Sequence, residues 1–157
     1  MGTENTDAKQ LVVFNLGNEE YAINMKYAKE IIRIPEITPI PNVPEFIKGI
    51  CNIRGTVITV VDLKSRFHMK MTEYGMDSRL LVLEYDNMQF GIIVDDISEV
   101  VRTDQLKFQA LGSELTGFNR NSIDGIFMIE NRLILLLNAN SFKTDVFSYI
   151  PESEAVR

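Results

Sequence analysis

Apolar residues come in short runs along this chain, each closed by residues that favour turns. The runs cover residues 11–14, 21–23, 50–53, 57–61, 80–83, 90–94, 100–101, 126–129 and 133–137. Most are rich in Val and Ile and too short for helices, which predicts strands. Gly17-Asn18, Arg54-Gly55 and Glu130-Asn131 separate neighbouring runs and read as hairpin turns. Many short strands at this spacing predict barrels or a sandwich, a mainly all-β chain. Near the end the period changes. Asn138 and Asn140 are good caps, and Phe142, Val146, Phe147 and Ile150 recur at helical spacing, so residues 139–148 read as a short C-terminal helix. Residues 1–9 and 151–157 are polar and read as disordered tails around a folded region, 10–150.

Residues 34–44 stand apart. They carry four of the five prolines, Pro35, Pro39, Pro41 and Pro44. Proline has no amide to donate, so this segment is not an interior strand. It reads as a stiff extended connection whose isoleucines either fold back on the core or face a partner.

The pattern also repeats. A shift of 80 − 11 = 69 places residues 11–33 on 80–102, with Leu11 on Leu80, Tyr21 on Phe90 and Glu30-Ile31-Ile32-Arg33 on Glu99-Val100-Val101-Arg102. A shift of 123 − 47 = 76 places residues 47–62 on 123–138, with Gly49 on Gly125 and Asp62 on Asn138. The difference, 76 − 69 = 7, puts a longer middle loop at 103–122. Aligned Glu, Arg and Gly make this a duplication rather than a coincidence of apolar text. Half-chains of this size rarely hold a core alone, so the halves are expected to pack about a pseudo-two-fold axis, with a shared apolar seam and a groove between them. The expected division is a first barrel at about 10–70 and a second at about 78–138.

Composition narrows the function. With Lys+Arg 16 and Asp+Glu 22 in 157 residues, the net charge is 16 − 22 = −6, which speaks against nucleic acid as a partner. A single Cys excludes an internal disulfide framework and fits a reducing, cytoplasmic setting. No apolar run is long enough to insert in a membrane, and no secretory leader is evident. The Met1 start and the lack of receiver-like text after residue 150 lead us to expect a small stand-alone protein.

Candidate chemistry is sparse. The only His, His68, has no sequence-evident orienting partner, and Cys51 sits inside an apolar run, where a buried inert thiol is usual. Asp95 and Asp96 are adjacent, so in a strand they point to opposite faces. No phosphate loop, dinucleotide fingerprint or zinc-ligand spacing occurs. No enzyme activity, cofactor or metal is expected.

Several blocks resemble the CheW family, adaptors of bacterial chemotaxis. They are Tyr21-Ala22-Ile23, Glu30-Ile31-Ile32-Arg33, Ile37-Thr38-Pro39-Ile40-Pro41, Phe46-Ile47-Lys48-Gly49-Ile50, Asn52-Ile53-Arg54-Gly55 with the run to Leu63, Phe90-Gly91-Ile92-Ile93-Val94-Asp95, and Arg132 to Asn138. They cover about residues 10–148 in the right order. The resemblance implies two SH3-like five-stranded β-barrels and no enzymatic activity. It implies two partners: the regulatory domain of the histidine kinase CheA, and the cytoplasmic hairpin tip of chemoreceptors in arrays at the inner face of the membrane. By the same likeness, Ala28, Glu30, Ile31, Arg54, Gly91 and Val100 fall at receptor-facing positions, and Ile37, Pro39, Ile40 and Gly49 at kinase-facing ones. The chain departs from the family at Thr59, where Pro is common, at Ala28, where a larger aliphatic is usual, and at Asn138, which replaces Asp. A CheW-like docking domain or paralogue of a different kinase pathway is the alternative.

Overall fold

A computed structural model describes residues 10–70, 73–110 and 122–149. The expected tails at 1–9 and 151–157 lie outside these residues. The first half supplies β1 (Gln10–Leu16), β2 (Glu19–Asn24), a 3-10 turn (Met25–Tyr27), β3 (Ala28–Ile32), β4 (Ile47–Ile53), β5 (Thr56–Asp62) and a one-turn helix α1 (Leu63–Arg66). The second supplies β6 (Arg79–Tyr85), β7 (Met88–Val94), β8 (Asp96–Arg102), β9 (Lys107–Ala110), β10 (Ile123–Ile129), β11 (Arg132–Leu137) and α2 (Ala139–Tyr149). The element boundaries obey the sequence shifts: 79 − 10 = 69 and 88 − 19 = 69 for the first hairpins, and 123 − 47 = 76, 132 − 56 = 76 and 139 − 63 = 76 for the second hairpins and the helices. Turn chemistry explains the hairpins. Arg54 and Gly55 have φ of 51° and 89°, and Asp86 and Asn87 have 53° and 64°, values that match the right-handed twist of the flanking strands. Two elements were not expected from the sequence. The short α1 is one, capped by the Asp62 side chain on the Lys64 amide. The other is β9, which occupies part of the segment read as a loop over 103–122.

The strands form one six-stranded sheet, β8-β1-β2-β11-β10-β9, and one five-stranded sheet, β3-β6-β7-β5-β4. This corrects the expected division at about 70 and 78. The five-stranded sheet is a continuous stretch of chain from Ala28 to Val94, whereas the six-stranded sheet joins the first hairpin to the elements after Asp95. The chain crosses between sheets at Met25–Tyr27 and at Asp95, which are equivalent positions of the repeat (95 − 26 = 69). Each half therefore lends its first hairpin to the later strands of the other half. The junctions are the two parallel pairings, Leu135 beside Tyr21 and Thr59 beside Phe90, which match by the same shifts. Thr59 thus sits in an interior strand between β4 and β7, not on an edge.

Three clusters make up the interior. Leu11, Val13, Ala22, Phe127 and Ile134 fill the six-stranded barrel, with Val101 against them. Leu80, Val82, Cys51 and Ile58, the repeat counterparts of four of these, fill the five-stranded one, with Ile32 against them. In the five-stranded sheet the two end strands, β3 and β4, thereby meet around one lumen, and in the six-stranded sheet β8 at one end meets β10 and β11 near the other, which is what closes each into a barrel. The largest cluster is the seam between barrels, where Val12, Phe14 and Ile23 face Leu81, Phe90 and Ile92. The two helices meet there: the Phe67 ring, just past α1, lies 6.0 Å from Phe142 of α2 and 5.5 Å from Tyr21. Phe142 and Val146 are buried as the helical spacing predicts; the side chains of Phe147 and Ile150 lie outside the described residues.

Candidate functional site

Glu30 and Arg54 are joined although they are far apart in the chain. Arg54 occupies the first turn position between β4 and β5, and its guanidinium pairs with the Glu30 carboxylate on β3. The turn itself is held by the Asn52 side chain, which accepts from the Gly55 amide at 2.8 Å. The Arg54 side chain remains 72% exposed, so it presents a forked donor at the barrel's corner. Ile31, next to Glu30, is 42% exposed and adds an apolar neighbour. The repeat places Val100 at the counterpart of Ile31 on β8 of the other barrel, 48% exposed. There Glu99 also binds an arginine, Arg132, which lies 2.7 Å from Glu99 and 2.6 Å from Glu20. The Arg132 hydrogen bond holds the Glu20 carboxyl below its usual range.

The remaining positions that the resemblance expects to face a receptor behave differently. Ala28 is half-buried against the seam. Gly91 is interior, and a Cβ there would lie 2.8 Å from a Leu80 methyl, so it serves packing and presents no side chain to a partner.

Among the positions that the resemblance expects to face the kinase, Pro39 is exposed, while Ile37 packs on the five-stranded lumen and Ile40 on the seam. Gly49 has φ +148° at a bulge, and a Cβ would lie 2.1 Å from the Thr38 carbonyl oxygen. Its role here is to let Thr38 approach β4. Thr38 and Ile50 exchange backbone hydrogen bonds of 2.8 and 2.9 Å, an isolated β-bridge between the proline segment and the sheet. The segment is extended around the bridge but turns at residues 41–43, where Asn42 has φ 63°, and its isoleucines fold back on the core.

The structure adds exposed apolar side chains that sequence reading missed: Val57, Phe108, Met128 and Leu133. Val57 and Leu133 are repeat counterparts (133 − 57 = 76), each just after a hairpin turn. Their strand runs look uniformly buried in the sequence, and only the turn proximity hints at exposure.

Buried polar groups concentrate around α1. Lys64 Nζ lies 2.7 Å from Asp95 Oδ1 and 4.4 Å from the Tyr74 ring centre, and the Tyr74 hydroxyl donates to Asp62. Burial, reinforced by that bond to Asp62, pushes the Tyr74 phenol far above its ordinary range. Asp95 also accepts from the Gly17 amide at 2.7 Å, so all its contacts are structural ones. Burial raises the Cys51 thiol pKa, which leaves it a poor nucleophile. Among the described residues no group of three or more His, Cys, Asp or Glu is placed to hold a metal ion, and no helix is long and apolar enough to cross a membrane.

Comparison with known proteins gives a consistent result. Residues 10–146 match the CheW-like domain family. The chain is 30% identical over 138 residues to a chemotaxis protein CheW of Treponema pallidum, covering 85% of this chain and 81% of that one. It is 28% identical over 141 residues to a chemotaxis protein CheW of Bacillus subtilis, covering 90% of each. Among solved structures, the scaffolding protein TtCheW from Thermoanaerobacter tengcongensis superposes with a TM-score of 0.76 at 32% identity, over 84% of this chain and 85% of that one.

Proposed function

The chain belongs to the CheW-like domain family, and from that premise we propose that it is a non-catalytic chemotaxis adaptor coupling chemoreceptors to the histidine kinase CheA. The observation that carries the reading is the family match across residues 10–146, which takes in both barrels and both crossings between them. An adaptor needs exposed, rigidly held recognition groups rather than a reactive centre. The Glu30–Arg54 corner with Ile31 supplies one such surface, which we assign to the receptor tip, with Val100 its counterpart on the other barrel. Pro39, held by the Thr38–Ile50 bridge over Gly49, supplies the one we assign to the regulatory domain of CheA. Ile37, Ile40, Gly49, Ala28 and Gly91 act on these surfaces by holding the backbone beneath them. Two partners meet one chain in this reading, and it works at receptor arrays on the cytoplasmic side of the membrane.

The test is calorimetric titration with the isolated CheA regulatory domain, and separately with a soluble receptor cytoplasmic fragment, both from the same organism. One-to-one binding of both is expected, with Arg54→Glu weakening the receptor fragment and sparing the kinase domain. Failure to bind either component would remove the adaptor reading. Loss of both in a folded Arg54→Glu protein would remove the assignment of separate surfaces.

A further inference from the structure

The internal duplication makes each barrel a control for the other, and at one place the two differ. In the six-stranded barrel, β9 covers the outer edge of β10, with Gln109 opposite Ile126 and Lys107 opposite Met128. The repeat counterparts of Ile126 and Met128 are Ile50 and Asn52 on β4 (126 − 50 = 76 and 128 − 52 = 76). Thr38 bridges Ile50 as Gln109 bridges Ile126, but the pairing stops there. Glu36 and Ile40, the alternate residues that would continue the pairing on either side of Thr38, lie outside any strand, because the segment leaves the sheet edge on both sides of the bridge. Backbone groups on a strand point outward at alternate residues, so Asn52 follows Ile50 in facing that edge. Among the described residues, Asn52 has no strand partner there. A groove of about 330 Å³ opens where Lys107 and Phe108 lie in the other barrel, lined by Pro35, Glu36, Ile50, Cys51, Asn52 and Val57.

The geometry points to this groove as a docking site for a short extended segment of a partner protein, added antiparallel to β4 at Asn52 and carrying a basic residue for Glu36. Three observations choose the occupant. The chain itself shows, in β9, that a strand fits the equivalent edge. Glu36 is exposed at the rim, where a cation of the incoming strand meets it. Val57, 49% exposed on the groove wall, offers an apolar surface to the neighbouring side chain. A free strand edge gives affinity through backbone hydrogen bonds and leaves specificity to alternate side chains. The site adjoins the Arg54 turn, which the Asn52 side chain holds, and the Thr38–Ile50 bridge, but it does not depend on the adaptor reading.

The test uses the full-length protein, labelled with nitrogen-15, and a blocked peptide with the sequence of residues 106–110, this chain's own edge strand. Saturable amide shifts at Asn52 and Val57, with slowed hydrogen exchange at Asn52, are expected. Glu36→Lys should weaken the peptide about fivefold, the scale of an exposed charge pair, and a peptide with glutamate in place of its lysine should recover that loss. Asn52→Pro removes the outward amide and also the side chain that holds the Gly55 turn; Asn52→Ala, which removes that side chain alone, should keep the peptide-induced shift at Val57, whereas Asn52→Pro should abolish it. The inference is overturned if millimolar peptide leaves Asn52 and Val57 unmoved. Shifts confined to the Met128 edge, or binding indifferent to the Glu36 charge swap, would overturn it equally, and these need no proline variant.

Discussion

Lys64 Nζ and Asp95 Oδ1 lie 2.7 Å apart at the place where the chain leaves the five-stranded barrel for the other one. Lys64 is 1% exposed, and Asp95 is further tied to the Gly17 amide and, through its own amide, to the Asn15 carbonyl. One carboxylate thus fastens α1, the first hairpin and the second crossing. The repeat does not duplicate this knot, because the counterparts of Lys64 and Asp95 are Asn140 and Lys26. It is the asymmetric fastening of an otherwise symmetric exchange.

Removing one partner of a buried pair leaves the other charge uncompensated. Asp95→Ala should therefore cost about 3 kcal/mol, whereas Lys64→Met, which removes the buried charge itself, should fall within about 1 kcal/mol of wild type. Urea unfolding of the two variants reads the difference. Equal losses would mean that the deeper burial of Lys64 does not set the cost, since the Asp95 carboxylate left by Lys64→Met is partly exposed and still bonded to the Gly17 amide.

Gly49 and Gly55 both have positive φ but differ in surroundings. A Cβ at Gly49 meets backbone, whereas at Gly55 nothing lies within 4 Å. Gly49→Ala should cost about 3 kcal/mol from strain and overpacking together, and Gly55→Ala about 1 kcal/mol from backbone strain alone. Thermal melts of the pair would show whether the Thr38 bridge sets this ranking.

Tyr21 and Tyr74 are both raised in pKa, chiefly by burial and then by hydrogen bonds to Glu19 and Asp62. A raised folded pKa contributes stability that is intact below the unfolded value near 10 and is lost as pH rises toward the folded one. Stability should therefore fall above about pH 10. Ultraviolet titration should show these two phenols ionising only as the protein unfolds, and Tyr74→Phe should remove one late transition.

Exposure separates the isoleucines assigned to partners. Ile31→Asp and Val100→Asp should keep the stability within about 1 kcal/mol of wild type, because both side chains are more than 40% exposed. Ile40→Asp places a charge against the seam and should destabilise by about 2 kcal/mol or more. Circular dichroism melts of the three variants, run before any binding assay, establish which of them report on docking.

Much of this architecture is written in the chain because it is local. Two-residue alternation and turn residues such as Arg54-Gly55 act over a few positions, so the hairpins and the two repeat shifts are legible without any knowledge of neighbours. The prolines at 35 and 39 likewise announce a segment that cannot join a sheet fully. Identity of the CheW-like blocks is legible for the same reason, since it rests on the order of residues alone.

Other features arise only when distant parts meet. A duplicated sequence offers each hairpin two equivalent sets of strands, its own half's or the other's, and the local pattern satisfies both. The crossings at Met25–Tyr27 and Asp95, which decide between them, are fastened by contacts such as Lys64 to Asp95 and Gly17 that no local rule ranks. Strand β9 is too short and too polar to declare itself, and forms because β10 presents an edge to it. The interior place of Gly91, the folding back of Ile37 and Ile40, and the burial of Lys64 follow from those same long-range choices. Composition and spacing therefore determine the elements and the family, while packing decides which of the candidate residues are exposed and which are held in the interior.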